Sequence, residues 1–335
     1  MSSPAKKAKA GQTQYDALGE VTTIVADTGE VDKMKIFMPT DATTNPSLIF
    51  KASKLPEYAS LVDAAVKYGK EHGKGNEKET LALVLDKLSV AFGTEITKII
   101  PGYVSTEVDA RLSFDTEGNV KRAKRIIKMY EENGVSRDRV LIKLATTWEG
   151  IQAAKILKKD NINCNMTLLF SFEQAVACAE ADVKLISPFV GRILDWYKKK
   201  NGVDGYPIEE DPGVLSVRRI YNYYKKYNYN TIVMGASFRS KDQVTALAGC
   251  DRLTIGPKFL EQLKTSTEDL PTMLSVAKAA VSCKDTKSEV PLDEKTFRIK
   301  MCRNAMATEK LAEGIRGFSN DIEKLEKIIL QKLVA

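Results

Sequence analysis

A chain of 335 residues with 43% hydrophobic and 28% charged side chains has the composition of a globular protein, with room for one large domain or two modest ones. Its formal charge of +7 arises from 51 basic and 44 acidic residues interleaved along the sequence, which favours attraction of anionic metabolites over nucleic-acid binding. No apolar run approaches the roughly 20 residues that cross a bilayer, and no signal-peptide segment is visible, so a cytoplasmic protein is expected.

Histidine and cysteine usage narrows the possible chemistry. The single histidine, His72, lies in a polar stretch with glycines, which excludes a Ser-His-Asp triad and a multi-histidine metal centre. The five cysteines are scattered and include no C-x-x-C pair, which indicates free thiols in a reducing compartment. Any mechanism is therefore expected to use Lys, Asp, Glu, Asn, Ser, Thr or Arg.

Residues 1–18 open with small residues and lysines, which predicts a disordered basic arm with a weak likeness to a nuclear-import signal. Residues 19–335 are predicted to form one domain. Residues 265–303 show little periodicity, whereas residues 305–333 predict a long helix that packs across the domain or against another subunit.

Short apolar runs alternate with segments of helical periodicity along the domain. The eight predicted strands are residues 22–27, 41–46, 104–109, 140–145, 163–170, 185–190, 231–237 and 251–256. The predicted helices between them are residues 58–70, 78–100, 120–133, 148–159, 172–181, 213–227 and 241–247. This order favours a (β/α)8 barrel of the TIM type with additional helices over an open doubly wound sheet, since no glycine-rich nucleotide motif is present.

The fourth predicted strand, VLIKLA, carries Lys143 among aliphatic residues. A strand covered on both faces is normally apolar throughout, so a lysine there is unusual. Burial disfavours an ammonium ion, which favours the nucleophilic amine that Schiff-base chemistry requires. A lysine whose head reaches water or pairs with a carboxylate is an equally good reading of this strand alone.

Side chains alternate between the two faces of a strand, so one alternate set of each strand points into a barrel. On the fifth strand the polar set containing Asn165 and Thr167 is predicted to be the interior one. The same alternation places further polar side chains inside, near the strand ends where barrel active sites form: Asp27, Glu107, Lys143, Ser187 and Ser237.

An amine accompanied by two carboxylates, Asp27 and Glu107, is sufficient for carbinolamine formation, dehydration and proton transfer at carbon. Arg192 and Arg239, the latter two residues after Ser237, offer planar donors suited to a phosphate. Surface salt bridges are the alternative explanation for both arginines.

Eight ordered segments resemble the transaldolase family, in its long form. They include VADTGE (25–30), DATTNPSLI (41–49), VLIKLATTWEGIQAA (140–154), INCNMTLLFSFEQAVACAEA (162–181) and TIVMGASFRS (231–240). The resemblance implies a class I aldolase-type barrel with a Schiff-base lysine and no metal or organic cofactor. It also implies transfer of a dihydroxyacetone unit from a ketose phosphate to an aldose phosphate in the pentose phosphate pathway.

The resemblance assigns roles to the candidate catalytic residues. Lys143 would form the imine with the ketose carbonyl, and Asp27 would be the acid–base for the donor hydroxyl during carbon–carbon cleavage. Glu107 and Thr167 would hold and activate the water of imine formation and hydrolysis.

The remaining candidates would contact the substrate. The resemblance implies hydroxyl contacts at Asn45 and Asn165 with Ser187 nearby, and a phosphate site at Arg192, Ser237 and Arg239. Phe189 matches the aromatic position at which the related fructose 6-phosphate aldolases have tyrosine. A homodimer is expected.

Three alternatives remain open from the sequence. The chain could be an aldolase that releases free dihydroxyacetone, although Phe189 argues against this because a phenyl ring transfers no proton. It could be a catalytically silent barrel that only binds sugar phosphates or a protein, which the presence of Lys143, Asp27 and Glu107 disfavours. An RNA-associated role of the basic arm is the third.

Overall fold

The computed structural model of the chain describes residues 11–334. Eight parallel strands pair in chain order, and the first also pairs with the eighth, which closes the sheet into a barrel. The strands are β1 (Thr23–Asp27), β2 (Asp41–Thr43), β3 (Val104–Glu107), β4 (Val140–Ala145), β5 (Cys164–Leu169), β6 (Leu185–Pro188), β7 (Ile232–Gly235) and β8 (Arg252–Ile255). The (β/α)8 barrel predicted from the sequence is confirmed.

The described residues contain fifteen α-helices, most of which connect consecutive strands. They are α1 (Gln14–Gly19), α2 (Val31–Phe37), α3 (Pro46–Ala52), α4 (Ala59–His72), α5 (Glu77–Thr97), α6 (Thr116–Glu132), α7 (Trp148–Lys159), α8 (Phe172–Glu180), α9 (Val190–Asn201), α10 (Pro212–Lys226), α11 (Lys241–Thr245), α12 (Pro257–Thr265), α13 (Val276–Ser282), α14 (Glu294–Arg303) and α15 (Ala305–Val334). Within residues 11–334, each helix is too short or too polar to span a membrane.

The predicted helices all occur, with bounds shifted by four residues or fewer. The helices that the sequence did not predict are mostly short, so they show too few turns for a periodic signal. Two of them, α13 and α14, lie in the stretch 265–303 that was predicted only as irregular.

The start of the chain corrects one expectation. Thr13 accepts a hydrogen bond from the Asp16 backbone N–H, and the Asp16 side chain accepts one from Thr13 in return, so the two form a capping box for α1. Leu18 on this helix is fully buried. The predicted disordered arm over residues 1–18 is therefore wrong for residues 14–18, while residues 1–10 lie outside the described part of the chain.

A small apolar cluster, separate from the main core, fills the inside of the barrel. Its buried members are Val25, Leu141, Leu185 and Met234. The first three alternate in register with Asp27, Lys143 and Ser187 on their strands. These three polar side chains therefore face inward, as the sequence predicted.

Strand β7 departs from the predicted alternation. Met234 faces the interior, so Gly235 faces outward, where an added Cβ would contact the side chains of Leu253 and Leu247. Ser237 nevertheless reaches the interior pocket because its backbone turns into the left-handed region with φ of 60°. The parity argument for Ser237 was wrong, although its predicted location was right.

Helix α15 packs across the end of the barrel. This is one of the two positions that the sequence left open for it. It contacts α3, α9 and the end of β5. Gly314 permits this close approach, since a Cβ there would lie 2.6 Å from the Leu168 side chain. Arg111 binds Glu326 through two hydrogen bonds of 2.6 and 3.1 Å, and Ser47 donates to Asp321. These contacts fix α15 over the C-terminal ends of the strands.

Candidate active site

A pocket opens at the C-terminal ends of the strands, beneath α15. It encloses about 380 Å³ of empty space, including its solvent-open part. Its lining is mostly polar and comes from six strands or strand ends, α9 and α15: Asp27, Thr43, Asn45, Lys143, Ser187, Phe189, Arg192, Ala236, Ser237, Thr254 and Phe318. A purely structural barrel would fill this layer with aliphatic side chains.

Lys143 lies in this pocket with its side chain 5% exposed. Its Nζ donates to the Thr44 carbonyl oxygen at 3.1 Å and lies 3.4 Å from Glu107 Oε2. Glu107 is the direct neighbour of Lys143 in the pairing of β3 with β4. The lysine is thus buried inside the barrel and also faces a carboxylate, and its Schiff-base role stays a prediction.

Burial raises the pKa of Glu107 to about 7, because removal from water outweighs the stabilising charges of Lys143 and Arg192. The negative charge of Asp27 raises it slightly further. Glu107 Oε2 makes no hydrogen bond of good geometry. A carboxyl group that titrates near neutral pH can both donate and accept a proton during one reaction cycle.

Asp27 is the second carboxylate of the pocket. Thr43 Oγ1 donates to Asp27 Oδ1 at 2.9 Å, and the hydroxyls of Thr43 and Thr254 lie 2.6 Å apart. Burial raises the pKa of Asp27, and the nearby charges of Lys143 and Arg192 only partly oppose this. The hydroxyl chain fixes the orientation of the carboxylate.

A buried polar network lies below the pocket floor. Ser187 donates to Asn165 Oδ1 at 2.6 Å, and Asn165 Nδ2 donates to Ser105 at 3.1 Å. Asn165 is fully buried, and so is Thr167, whose hydroxyl has no hydrogen-bond partner. Ser187 and Asn165 therefore support each other, whereas the Thr167 hydroxyl is left available for a small polar molecule.

Arg192 brings a guanidinium group to the pocket from α9. The group stacks between Phe189 and Phe318, with its centre 4.9 and 5.6 Å from the two ring centres. Among residues 11–334 it makes no hydrogen bond or ion pair. Burial and the neighbouring charge of Arg239 lower its pKa. A half-buried cation beside a second cation is an environment that an anion would stabilise.

Arg239 follows Ser237 and is exposed. Asp195 on α9 accepts hydrogen bonds from its Nη2 at 2.7 Å and its Nε at 3.1 Å. Nη1 points toward Ser237, whose hydroxyl lies 3.4 Å away. The Nη1 group of Arg239 is thus held toward the side of the pocket that Ser237 lines.

Asn45 caps α3, where its Oδ1 accepts from the Leu48 backbone N–H at 3.0 Å. This assignment leaves the Nδ2 group of Asn45 for the pocket that it lines. Phe189 packs edge-on against Phe170 at 5.5 Å, so its ring position is fixed by the core.

Comparisons with known proteins agree with this geometry. The family profile described as Transaldolase/Fructose-6-phosphate aldolase matches residues 24–329. This chain belongs to the transaldolase family. A transaldolase of Saccharomyces cerevisiae is 57% identical over 338 residues, which covers 100% of both chains. Transaldolases of Methylobacillus flagellatus and Methylomonas aminofaciens are each 58% identical over 320 residues, which covers 95% of this chain and 99% of each relative.

The sequence-based expectation of a transaldolase, and so of an enzyme of the transferase class, is confirmed by these full-length relatives. The roles of individual residues stay predictions. Within residues 11–334, no three side chains of His, Cys, Asp or Glu are grouped so that they could hold a metal ion.

The transaldolase pocket contains seven of the eleven residues predicted from the sequence, namely Asp27, Asn45, Lys143, Ser187, Phe189, Arg192 and Ser237. The other four, Glu107, Asn165, Thr167 and Arg239, do not line it, although Glu107, Asn165 and Arg239 each contact a residue that does. Asn165 is fully buried and is linked to the pocket through Ser187, and its predicted contact with a substrate hydroxyl stays a prediction.

Sequence reasoning missed four residues of the pocket, namely Thr43, Ala236, Thr254 and Phe318. Thr43 and Thr254 follow the same alternation rule that identified the other interior residues, so applying it to β2 and β8 would have found them. Phe318 has no such signal because it reaches the pocket only through the docking of α15.

Proposed function

We propose that this transaldolase transfers a dihydroxyacetone unit from a ketose phosphate to an aldose phosphate through a Schiff base on Lys143. The donor would be sedoheptulose 7-phosphate or fructose 6-phosphate, and the acceptor glyceraldehyde 3-phosphate or erythrose 4-phosphate. The observation that carries the proposal is a buried amine 3.4 Å from a carboxyl group whose pKa is raised to about 7, in a pocket that also holds a second acid.

Imine formation requires a nucleophilic amine and a proton donor for the departing oxygen. Lys143 adds to the ketose carbonyl and forms a carbinolamine. Glu107 in its protonated form then gives a proton to the departing hydroxyl, which leaves as water. The position of Glu107 beside the amine and its titration near neutral pH both suit this role.

Carbon–carbon cleavage requires a base for the hydroxyl of the neighbouring carbon. Asp27 is held by Thr43 and lines the same pocket as Lys143. When Asp27 removes the hydroxyl proton, the bond breaks, its electron pair moves into the imine, and an aldose phosphate leaves. The acceptor aldehyde enters and the same steps run in reverse.

The phosphate would bind where Arg192, Arg239 and Ser237 converge. Arg192 contributes a partly dehydrated charge, and Arg239 contributes donors in an orientation that Asp195 fixes. Two guanidinium groups match the charge of a phosphate monoester near neutral pH. This arrangement supports sugar phosphates over free sugars.

The runner-up is an aldolase that releases free dihydroxyacetone, since the family description covers both activities. Phe189 in the pocket lacks the hydroxyl group that could pass a proton to the bound three-carbon unit. Retention of that unit until an acceptor arrives is therefore favoured.

Borohydride reduction with fructose 6-phosphate, followed by peptide mass mapping, tests the proposal. We expect a three-carbon adduct on Lys143 and none in the Lys143→Ala variant, because borohydride traps only the imine. Product analysis with and without erythrose 4-phosphate separates transfer from aldol cleavage. An adduct on another lysine, or activity that survives in Lys143→Ala, would contradict the proposal.

A homodimer and a cytoplasmic location belong to the same proposal, by analogy with the family. The nuclear fraction suggested by the basic N-terminal segment has no support from the comparisons, and residues 1–10 lie outside the described chain. The basic segment also carries no support for nucleic-acid binding.

A further inference from the structure

A second cavity adjoins the substrate pocket, between α3, α5, the end of β3 and α15. It holds about 450 Å³ of empty space, including its solvent-open part. The Lys143 amine lies between the two spaces. Lys143 lines the substrate pocket, while both groups that its Nζ contacts, the Thr44 carbonyl and Glu107, lie in residues that line the second cavity.

Glu107 lines this second cavity and is not among the residues that line the substrate pocket. Two other carboxylates also line it, and both are neutralised: Asp86 by Arg122 at 2.5 Å and Asp109 by Arg111 at 2.7 Å. Glu107 Oε2 is buried, and its one neighbouring donor, the Lys143 Nζ, lies 3.4 Å away without forming a hydrogen bond of good geometry. Because buried oxygens are nearly always hydrogen-bonded, a carboxylate oxygen on a cavity wall with only this long contact marks a position for water.

The proposed reaction gives this cavity a task. One water is released when the carbinolamine becomes the imine, and one is consumed when the imine is hydrolysed. A bound ketose phosphate occupies the substrate pocket at both moments, so the mouth is blocked to water. Glu107, which would transfer the proton in either direction, lines the second cavity and approaches the Lys143 amine from that side.

We propose that the second cavity is the water compartment of the reaction. Glu107 protonates the hydroxyl of the carbinolamine, the C–O bond breaks, the nitrogen lone pair forms the imine, and the new water moves into the cavity. Hydrolysis runs the same path backward, with the Glu107 carboxylate removing a proton from a water that enters there. Substrate and water thus reach Lys143 from different sides, a conclusion that rests on the proposed Schiff-base function.

Ser89 on α5 offers a way to fill the cavity without touching the catalytic groups. It is half-buried, lines the cavity, and uses its hydroxyl only for a bond to the Leu85 carbonyl within its own helix. Ser89→Met places a flexible apolar side chain into the space. Ser89→Ala is the matched control, since it removes the same hydroxyl and leaves the cavity open.

The measurement is incorporation of ¹⁸O from labelled water into the carbonyl of fructose 6-phosphate, corrected for exchange without enzyme. We expect Ser89→Met to slow enzymatic exchange by about tenfold, a part of the roughly 10²–10⁴ that a positioned acid–base group supplies. The borohydride-trapped adduct at equilibrium and the KM for fructose 6-phosphate should match wild type. Ser89→Ala should exchange at the wild-type rate.

A second variant, Leu325→Phe, fills the cavity from α15 and covers the case in which Ser89→Met fails to fold. Unchanged exchange in a folded filling variant would overturn the proposal, since water would then reach Glu107 through the substrate pocket. If both variants lost the trapped adduct as well as the exchange, the proposal would also be overturned. The residues that line the cavity would then be needed to hold Lys143 in place rather than to admit water. Absence of any adduct in wild type would instead refute the Schiff-base function.

Discussion

Two pairs of a cation and a carboxylate flank the substrate pocket, and they differ in burial and in geometry. Lys143 and Glu107 are 5% and 4% exposed and lie 3.4 Å apart. Arg239 and Asp195 are 42% and 39% exposed and meet at 2.7 Å with a second contact at 3.1 Å. The shorter, better aligned pair is therefore the one that water surrounds.

Burial, rather than distance, decides what each pair can do. The pKa of Glu107 rises to about 7 even with Lys143 beside it, because removal from water outweighs the attraction of the amine. An exposed ion pair is screened, contributes about 0–1 kcal/mol and serves mainly to orient its partners. The buried pair is suited to move protons, and the exposed pair to hold a guanidinium group in place.

Glu107→Gln removes the carboxylate of the buried pair and is expected to have the largest effect on activity. The amide keeps the shape of the side chain and cannot transfer the proton, so kcat should fall by roughly 10²–10⁴. KM should change little, because the amide keeps the volume and polarity of Glu107. Steady-state kinetics with fructose 6-phosphate and erythrose 4-phosphate measure both values, and a kcat within a few-fold of wild type would remove Glu107 from the chemistry.

The pH profile tests the same role of Glu107. Its carboxyl group is protonated below its pKa of about 7 and ionised above it. If the protonated form drives loss of water from the carbinolamine, the rate of imine formation falls as pH rises through about 7. That inflection should vanish in Glu107→Gln, whereas an inflection that persists unchanged would assign it to another group.

Replacing Arg192 and replacing Arg239 should have different effects on KM, because the two arginines differ in burial. Arg192→Ala removes the half-buried, unpaired guanidinium and should raise KM for phosphorylated substrates by about ten- to a hundredfold, which corresponds to roughly 1.5–3 kcal/mol for a charged hydrogen bond. Arg239→Ala should have a smaller effect on KM because its charge is screened by water and by Asp195. Both effects should appear mainly in KM, since the phosphate contact is equal in ground and transition states. Fructose without phosphate is the control, and an unchanged KM would exclude either residue from the phosphate site.

The same contrast explains how much could be predicted from the sequence. Lys143 and Asp27 were placed correctly because strand alternation is a local rule that needs no knowledge of the rest of the fold. Ser237 escaped the rule because a single left-handed residue changes the direction of its side chain. The partnership of Asp195 with Arg239 and the reach of Phe318 depend on how α9 and α15 dock, which no local pattern encodes.

Asp195→Asn should have the smallest effect on activity, and it tests the exposed pair of Arg239 and Asp195. Asparagine keeps one acceptor oxygen for Arg239 and loses the charge and one of the two hydrogen-bonding oxygens, so the guanidinium group is held less firmly. We expect KM for fructose 6-phosphate to rise a few-fold with kcat unchanged, and no change for unphosphorylated fructose. The opposite result, a lower KM, would mean that Asp195 competes with the phosphate for Arg239 rather than positioning it. The sign of this small effect therefore distinguishes an orienting ion pair from an inhibitory one.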